Sequence, residues 1–581
     1  MTTASLLFVA FASIAAGPSS DHPGLAPPEA VAARLDAILE KGWAERKLTP
    51  SPPATDAEIF RRLSLDLRGT IPTPGEAKAF LSDRLDDKRA RKIDEFLASA
   101  DHAEYFARVF TEVLIGGGDL NRELRPEVLK DWLEDSFARN RPWNGVARDL
   151  VAGAGLRSES GPANFILRWV ATPEDLAGAT ARLFLGTQIQ CAQCHAHPYE
   201  KWTRDDFYGI AAFFARTKRR AIPADNPRDR DFNVLDVPRG EVFLEEEQSK
   251  RRRIEPRLLD GTPLARGRRA DRRAELASWL ASPANGQLAR ATVNRLVGLL
   301  FGRGFVEPVD DFNSKNPPSH PEALSLLASD FEASGYDVRR TLRILAGSRA
   351  YALSSAPAPG NREDHMNEGF ARARLRPLDA DQLFSSLVAA TGVGPPPAPA
   401  PRATAPSRRP AGETPAPRGR QAGAGDGASM SPEEPMAPAM DAEDLGERDA
   451  RELLRRRFVQ AVRAAQAEEE PEAGFSESIP KMLLLLNGGL LNESIRVRRA
   501  GRAVAAARRD VPLRTLERIL SGGGGEKEKV EEVYFAALSR PPSSAEAARA
   551  AKAIDAEKRA ALAFEDLFWA LLNSSEFTFN H

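Results

Sequence analysis

Sulfur is scarce in this chain: 581 residues include two cysteines and six methionines. Two cysteines allow at most one disulfide, which excludes the cysteine-stapled frameworks of small secreted domains. Charge of one sign is also missing. Lys+Arg number 81 against 82 Asp+Glu, a formal charge of -1, which offers no case for nucleic-acid binding. Arginines outnumber lysines but interleave with acids along helical patterns, as solvated faces and ion pairs do. The N-terminal apolar run Ser5–Ala16 is too short to cross a bilayer, which needs about 20 residues. No later segment is apolar for long enough. Nucleophile-elbow, phosphate-loop, H-E-x-x-H and EF-hand patterns are absent as well.

Both cysteines fall within Cys191-Ala192-Gln193-Cys194-His195, a C-x-x-C-H sequence. That is the attachment pattern of a c-type haem: two thiols three residues apart each reach one vinyl group, and the adjacent imidazole takes the iron as proximal ligand. Two other chemistries use the same residues. A bare thiol pair or short disulfide would leave His195 merely packed nearby. Zinc could take Cys191, Cys194, His195 and His197, although four ligands so close in sequence leave little chain to wrap a tetrahedron. His197 cannot reach the opposite face of a haem held by His195, so a bond to a propionate or the backbone suits it better. A sixth iron ligand would have to come from His102, His320, His365 or Met482. Met430, Met436 and Met440 sit in or beside a linker. The dense aromatics after the motif, from Tyr199 and Trp202 to Phe214, suit either a haem wall or ordinary helix core.

At this length, with 42% hydrophobic and 28% charged residues, the chain is expected to form two or more globular domains. The fold class expected is mainly α: two helical domains, a small β-containing insert and a disordered Pro/Ala/Gly-rich linker. Residues 1–17 have the length of a signal peptide, though without a basic n-region, which directs the protein to the periplasm or cell envelope. Residues 27–220 read as a helical domain carrying the C-x-x-C-H. Capping signals punctuate it, such as Thr73-Pro74-Gly75-Glu76. Short alternating pieces in 221–270, including Asn233–Val237 and Glu241–Leu244, suggest strands. Helices resume over 271–394 and 441–581, with Ser319-His320-Pro321-Glu322 as a second capping box and Asp379 opening another helix. Between them, 395–440 is nearly devoid of aliphatics and cannot offset its chain entropy.

The segments Phe184-Leu185-Gly186, Gln190 to Pro198 and Ala211-Ala212-Phe213-Phe214-Ala215 resemble the planctomycete cytochrome c-like domain of unknown function. Val293-Asn294-Arg295-Leu296, Val309-Asp310-Asp311-Phe312, Asn316 to Pro321 and Leu538-Ser539-Arg540-Pro541-Pro542 resemble its usual C-terminal partner domain, also of unknown function. The chain departs from that pattern at Ala196, where relatives often carry an acid, and at Val297, where they often carry an aromatic. The resemblance implies the domain pairing and a cytochrome-like character, and no activity.

Three functions follow from these readings. The first is an exported redox or electron-transfer protein with one covalent haem c on Cys191, Cys194 and His195, serving an unknown redox or envelope protein partner. The second is an exported scaffold in which C-x-x-C-H is a structural or zinc site. The third is a hydrolase using Asp310, Asp311 and His320. No reading calls for nucleic acid or for a transmembrane segment beyond the signal peptide. Limited proteolysis should cut first between Pro395 and Met440, where no buried hydrogen bonds are expected to protect the backbone. The flanking helices, Asp379–Ala390 and Glu447–Ala467, should stay associated on gel filtration after the cut. Fragments that separate would assign them to independent domains.

Overall fold

The computed structural model describes residues 24–116, 123–224, 230–245, 250–262, 271–362, 364, 367–392, 447–467, 495–497, 513–557 and 559–581. The signal segment, the 395–440 linker, the apolar stretch Ile479–Leu486, whose pattern suggests a helix, and the residues His365 and Met482 lie outside these residues.

The fold is mainly helical. The first stretch runs through α1 (Pro28–Arg46), α2 (Asp56–Arg68), α3 (Pro74–Ser82), α4 (Lys88–Ala98), α5 (Ala100–Ile115), α6 (Pro126–Ala138) and α7 (Trp143–Val151). It ends with α8 (Gly161–Trp169), α9 (Pro173–Leu185) and α10 (Arg204–Phe214). The expected capping box is present at α3, where Thr73 accepts from the Glu76 amide and Glu76 reaches back to the Thr73 amide. Such a box satisfies amide groups that a helix start leaves bare.

The β-containing insert is also present. Strands β1 (Gly155–Leu156), β2 (Thr217–Ile222) and β3 (Asp231–Asp236) form an antiparallel sheet in the order β1-β3-β2. A hairpin of β4 (Val242–Glu245) and β5 (Arg251–Ile254) follows, with Val242 opposite Ile254. The sheet begins a little before position 221 and recruits β1 from the preceding helical region, a pairing too distant for local pattern to reveal.

Beyond the insert come α11 (Arg272–Leu280), α12 (Gln287–Phe301), α13 (Pro321–Ala333), α14 (Val338–Gly347), α15 (Ala380–Thr391) and α16 (Glu447–Ala467). The chain closes with α17 (Thr515–Ser521), α18 (Glu526–Leu538), α19 (Ser544–Ala556), α20 (Ala560–Leu572) and the single turn α21 (Ser575–Thr578). Strands β6 (Arg376–Pro377) and β7 (Phe579–Asn580) pair antiparallel. Asp379 and Gln382 make the expected box at α15. The one expected at Ser319 does not form. His320 is the residue before Pro321, and Ser319 Oγ instead meets His320 Nδ1 at 3.2 Å. Proline fixes the first helical position, so Ser319 stands one residue too early to cap.

The core runs across both halves of the sequence. One apolar cluster joins Leu35, Phe106 and Phe184 to Leu296, Leu324 and Phe370; a smaller one gathers Leu383, Val533, Phe564 and Phe568. Helix α2 lies between them: Leu63 and Leu67 enter the first cluster, Leu65 the second, and every residue from Ile59 to Leu67 is buried. A helix buried all round must find partners for its polar groups. Arg61 donates to the Ala537 and Phe577 carbonyls at 3.1 and 2.9 Å, and Arg62 to Leu353 and His581 at 3.0 Å each. The Asp66 carboxylate accepts from both directions. Arg376 donates to its two oxygens at 2.7 and 2.9 Å, Tyr351 Oη at 2.8 Å and Asn580 Nδ2 at 2.8 Å.

Removing one member of such a buried pair strands the other charge. Asp66→Ala should therefore cost about 3–5 kcal/mol of unfolding free energy. The double replacement Asp66→Leu with Arg376→Met should cost less than Asp66→Ala alone, a comparison that chemical denaturation resolves. Equal losses would mean that the pair contributes nothing beyond packing.

A second expectation concerns pH. His102 is fully buried on α5 with Nδ1 2.9 Å from the Leu67 carbonyl oxygen, and burial pushes its pKa down to about 4. His320 is held down to about 4 by burial and by Arg46 and Arg303. In the unfolded chain both titrate near pH 6.5. The unfolded state thus binds more protons between about pH 6.5 and 4, so stability is full above that window and falls as pH drops through it. The loss reaches about 3 kcal/mol per histidine at the low end. Urea midpoints measured across this range should fall less steeply for His102→Gln than for the parent chain.

Candidate functional site

Helix α9 delivers the chain to the C-x-x-C-H. Thr172 caps its start by accepting from the Asp175 amide, and Gly186 ends it at φ +65°. Glycine is required at that point on two counts. The conformation is left-handed, and a Cβ there would lie 2.7 Å from the Phe312 ring, whose own amide donates to the Gly186 carbonyl at 2.8 Å. Ile189 and Ala192 are buried and anchor a single 3-10 turn, Gln190–Gln193. On this turn Cys191 and Cys194 are exposed free thiols. A buried staple would look different.

The two motif histidines serve opposite ends. His195 is exposed; its Nδ1 lies 2.7 Å from the Ala196 carbonyl oxygen, to which it donates, and its Nε2 has no partner among the described residues. His197 is fully engaged. Its Nδ1 accepts from the Tyr199 and Glu200 amides at 3.3 and 3.1 Å, which leaves the proton on Nε2 to donate to the Gln188 carbonyl at 3.0 Å. With its own amide bonded to the Trp202 carbonyl at 2.9 Å, His197 closes the loop around the cysteines. The backbone role expected for it is the one it has.

The aromatics divide. Phe207, Phe213 and Phe214 are core, whereas Tyr199 is 55% exposed, and Trp202 and Tyr208 are half-buried beside the motif. Burial and the Glu174 carboxylate hold the Tyr208 hydroxyl above its ordinary pKa.

The second half of the chain grips this loop. Arg182 pairs with Asp310 at 3.0 Å, and Arg295 donates to the Leu183 carbonyl at 2.8 Å. Ser314 donates through its amide to Glu200 and through its hydroxyl to the Tyr199 carbonyl, each at 2.5 Å. Residue patterns alone do not single out Glu200 or Ser314. Phe312 and Asn316, inside motif-like segments on either side of Ser314, were the only signal nearby.

Asp310, Asp311 and His320 do not come together as a hydrolytic set. Asp310 is spent on Arg182, and Asp311 accepts from Asn313 Nδ2 at 3.0 Å within its own turn. His320 is buried between Phe305 and Phe370, 3.5 Å from Arg46. Among the described residues no hydrogen bond or ion pair joins it to either aspartate. His102 likewise lies in the core against Phe106, bonded to α2 and not to the motif. Among the described residues no group of three or more His, Cys, Asp or Glu side chains is placed to hold a metal ion, the set Cys191, Cys194, His195 and His197 included.

The donor chemistry of the turn fits a covalently attached haem. Both thiols are accessible, and a histidine whose Nδ1–H is anchored to a carbonyl presents Nε2 in the tautomer a metal requires. No curated protein and no solved structure matches the chain. Two family models do. Residues 34–219 match PSCyt2, a protein of unknown function (DUF1549), and residues 272–554 match PSD1, a protein of unknown function (DUF1553). The first match contains the C-x-x-C-H turn and the second the Asp310–Asn316 loop that grips it, so the two matched domains of unknown function follow one another along the chain in that order.

Proposed function

We propose that this protein is an exported c-type haem protein that passes single electrons to an envelope partner. The observation that carries the reading is the turn itself: two exposed free thiols three residues apart, followed by an imidazole with Nδ1–H bonded to a carbonyl and Nε2 free. Each S–H of Cys191 and Cys194 would add across one vinyl double bond, the proton ending on the vinyl carbon, with no net oxidation. His195 Nε2 would be the proximal ligand. The haem, when bound, supplies the one-electron chemistry. His197 holds the loop closed, and the bond from Ser314 to Glu200 fixes its far end. His102 and His320 are committed elsewhere, so neither would serve as a second ligand to the iron.

Expression with a cytochrome c maturation system should give coloured protein whose Soret band survives acid-acetone extraction. His195→Ala, which keeps both thioether cysteines, should retain the haem but change its ligation spectrum and potential. Replacing both cysteines by alanine should leave no covalent haem. Colourless parent protein from such a host would overturn the reading, and an unchanged spectrum in His195→Ala would move the iron ligand elsewhere.

A further inference from the structure

Two bonds join the matched domains at the far side of the C-x-x-C-H loop, and both start from Ser314. That residue lies in a loop that holds itself. Asn313 Oδ1 accepts from the Lys315 amide at 2.9 Å, and Asn316 Nδ2 donates to the Glu307 and Asp311 carbonyls at 3.2 and 2.9 Å. Asn313 and Asn316 also face each other in an isolated β-bridge. Asparagine side chains bonded in this way replace the backbone ladder that a loop lacks. Arg182 and Asp310 pin the start of the loop to α9. Ser314 is therefore a fixed post.

The contacts of that post lead into the turn that carries the cysteines. Ser314 Oγ donates to the Tyr199 carbonyl, and its amide donates to the Glu200 carboxylate. The amides of Tyr199 and Glu200 in turn donate to His197 Nδ1. His197 Nε2–H donates to the Gln188 carbonyl, two residues before the 3-10 turn Gln190–Gln193. Packing does little of this on the side where a cleft of about 240 Å³ opens among Thr187, Glu200, Trp202, Arg290, Phe312 and Asn316. There the loop depends on its hydrogen bonds.

We infer that Ser314 is a positioning residue: from the second matched domain it holds the Ala196–Trp202 segment, and through His197 it places the turn that presents Cys191, Cys194 and His195. The consequence for haem rests on the proposed function, whereas the hold on the loop rests on the bonds alone. Two thiols and one ring nitrogen must meet a single porphyrin together, so a loop free to move would take up haem less completely and ligate it less uniformly.

The test compares the parent chain with Ser314→Ala, which removes the hydroxyl bond, and Ser314→Thr, which keeps it. In haem-free protein, hydrogen exchange of the Ala196–Trp202 segment should run about two- to tenfold faster in Ser314→Ala, the range set by one lost hydrogen bond. It should return to the parent rate in Ser314→Thr. Unchanged exchange in α9 would show the fold intact. In haem-loaded protein, Ser314→Ala should carry more singly attached haem and a shifted reduction potential, both restored by Ser314→Thr. Equal exchange in parent and Ser314→Ala would overturn the inference. So would faster exchange with attachment and potential at their parent values, which is what a merely structural bond gives. If no variant takes up haem, the electron-transfer reading falls, and the exchange comparison with its threonine rescue still decides whether Ser314 holds the loop.

Discussion

The carboxylate of Asp66 ties together pieces of chain that are far apart in sequence. It sits on a helix buried on every face and binds Tyr351, Arg376 and Asn580 at once. A lone charge at such a depth would be prohibitive, and a well-bonded pair is tolerable only because each remaining lone pair is met. The neighbouring Arg61 and Arg62 work in the same way on backbone carbonyls. Ala537 belongs to the last turn of α18, where carbonyls have no partner within the helix and the helix dipole favours a cation. Helix α2 therefore stands where two apolar clusters meet, and its polar groups decide which later segments close over it.

That arrangement explains why the partner domain can shape the C-x-x-C-H surface. With α2 fixing the C-terminal helices and one core running from Leu35 to Phe370, the Asp310–Asn316 loop is delivered against α9 and the turn beyond it. Gly186 is the joint. A side chain there would push Phe312 away and loosen the bond from its amide. The motif lies within the first matched domain, yet the cleft beside it is built from both.

Local features of the fold were readable from residues; shared features were not. Helix α16 spans Glu447–Ala467 and α15 opens after Asp379, both where the sequence places them. Thr73 and Asp379 cap as expected because a capping box needs only residues three apart. Helices α8 and α14 carry local signals that the sequence analysis does not use: Ser160 caps α8 by accepting from the Ala163 amide, and Asp337 caps α14 by accepting from the Arg340 amide. The β1–β3 pairing and the core common to both halves depend on contacts across scores of residues, which no window of sequence contains. At the site, Cys191, Cys194 and His195 were legible from spacing alone. Ser314 and Glu200 were not, because the bond that joins them exists only once the chain has folded.

The pair His195 and His197 shows how little residue type decides by itself. Two positions apart, both are imidazoles in one loop. His197 has both ring nitrogens bonded to the backbone, with its proton placed on Nε2 by the two amides that Nδ1 accepts. It has no lone pair left to offer a metal, and its loss would open the loop. His195 spends only Nδ1, on its neighbour's carbonyl, and keeps Nε2 toward solvent. A ligand must combine a fixed ring with a free nitrogen, and of the two only His195 does. The loop thus spends both ring nitrogens of one histidine on the backbone and leaves one nitrogen of the other without a partner among the described residues.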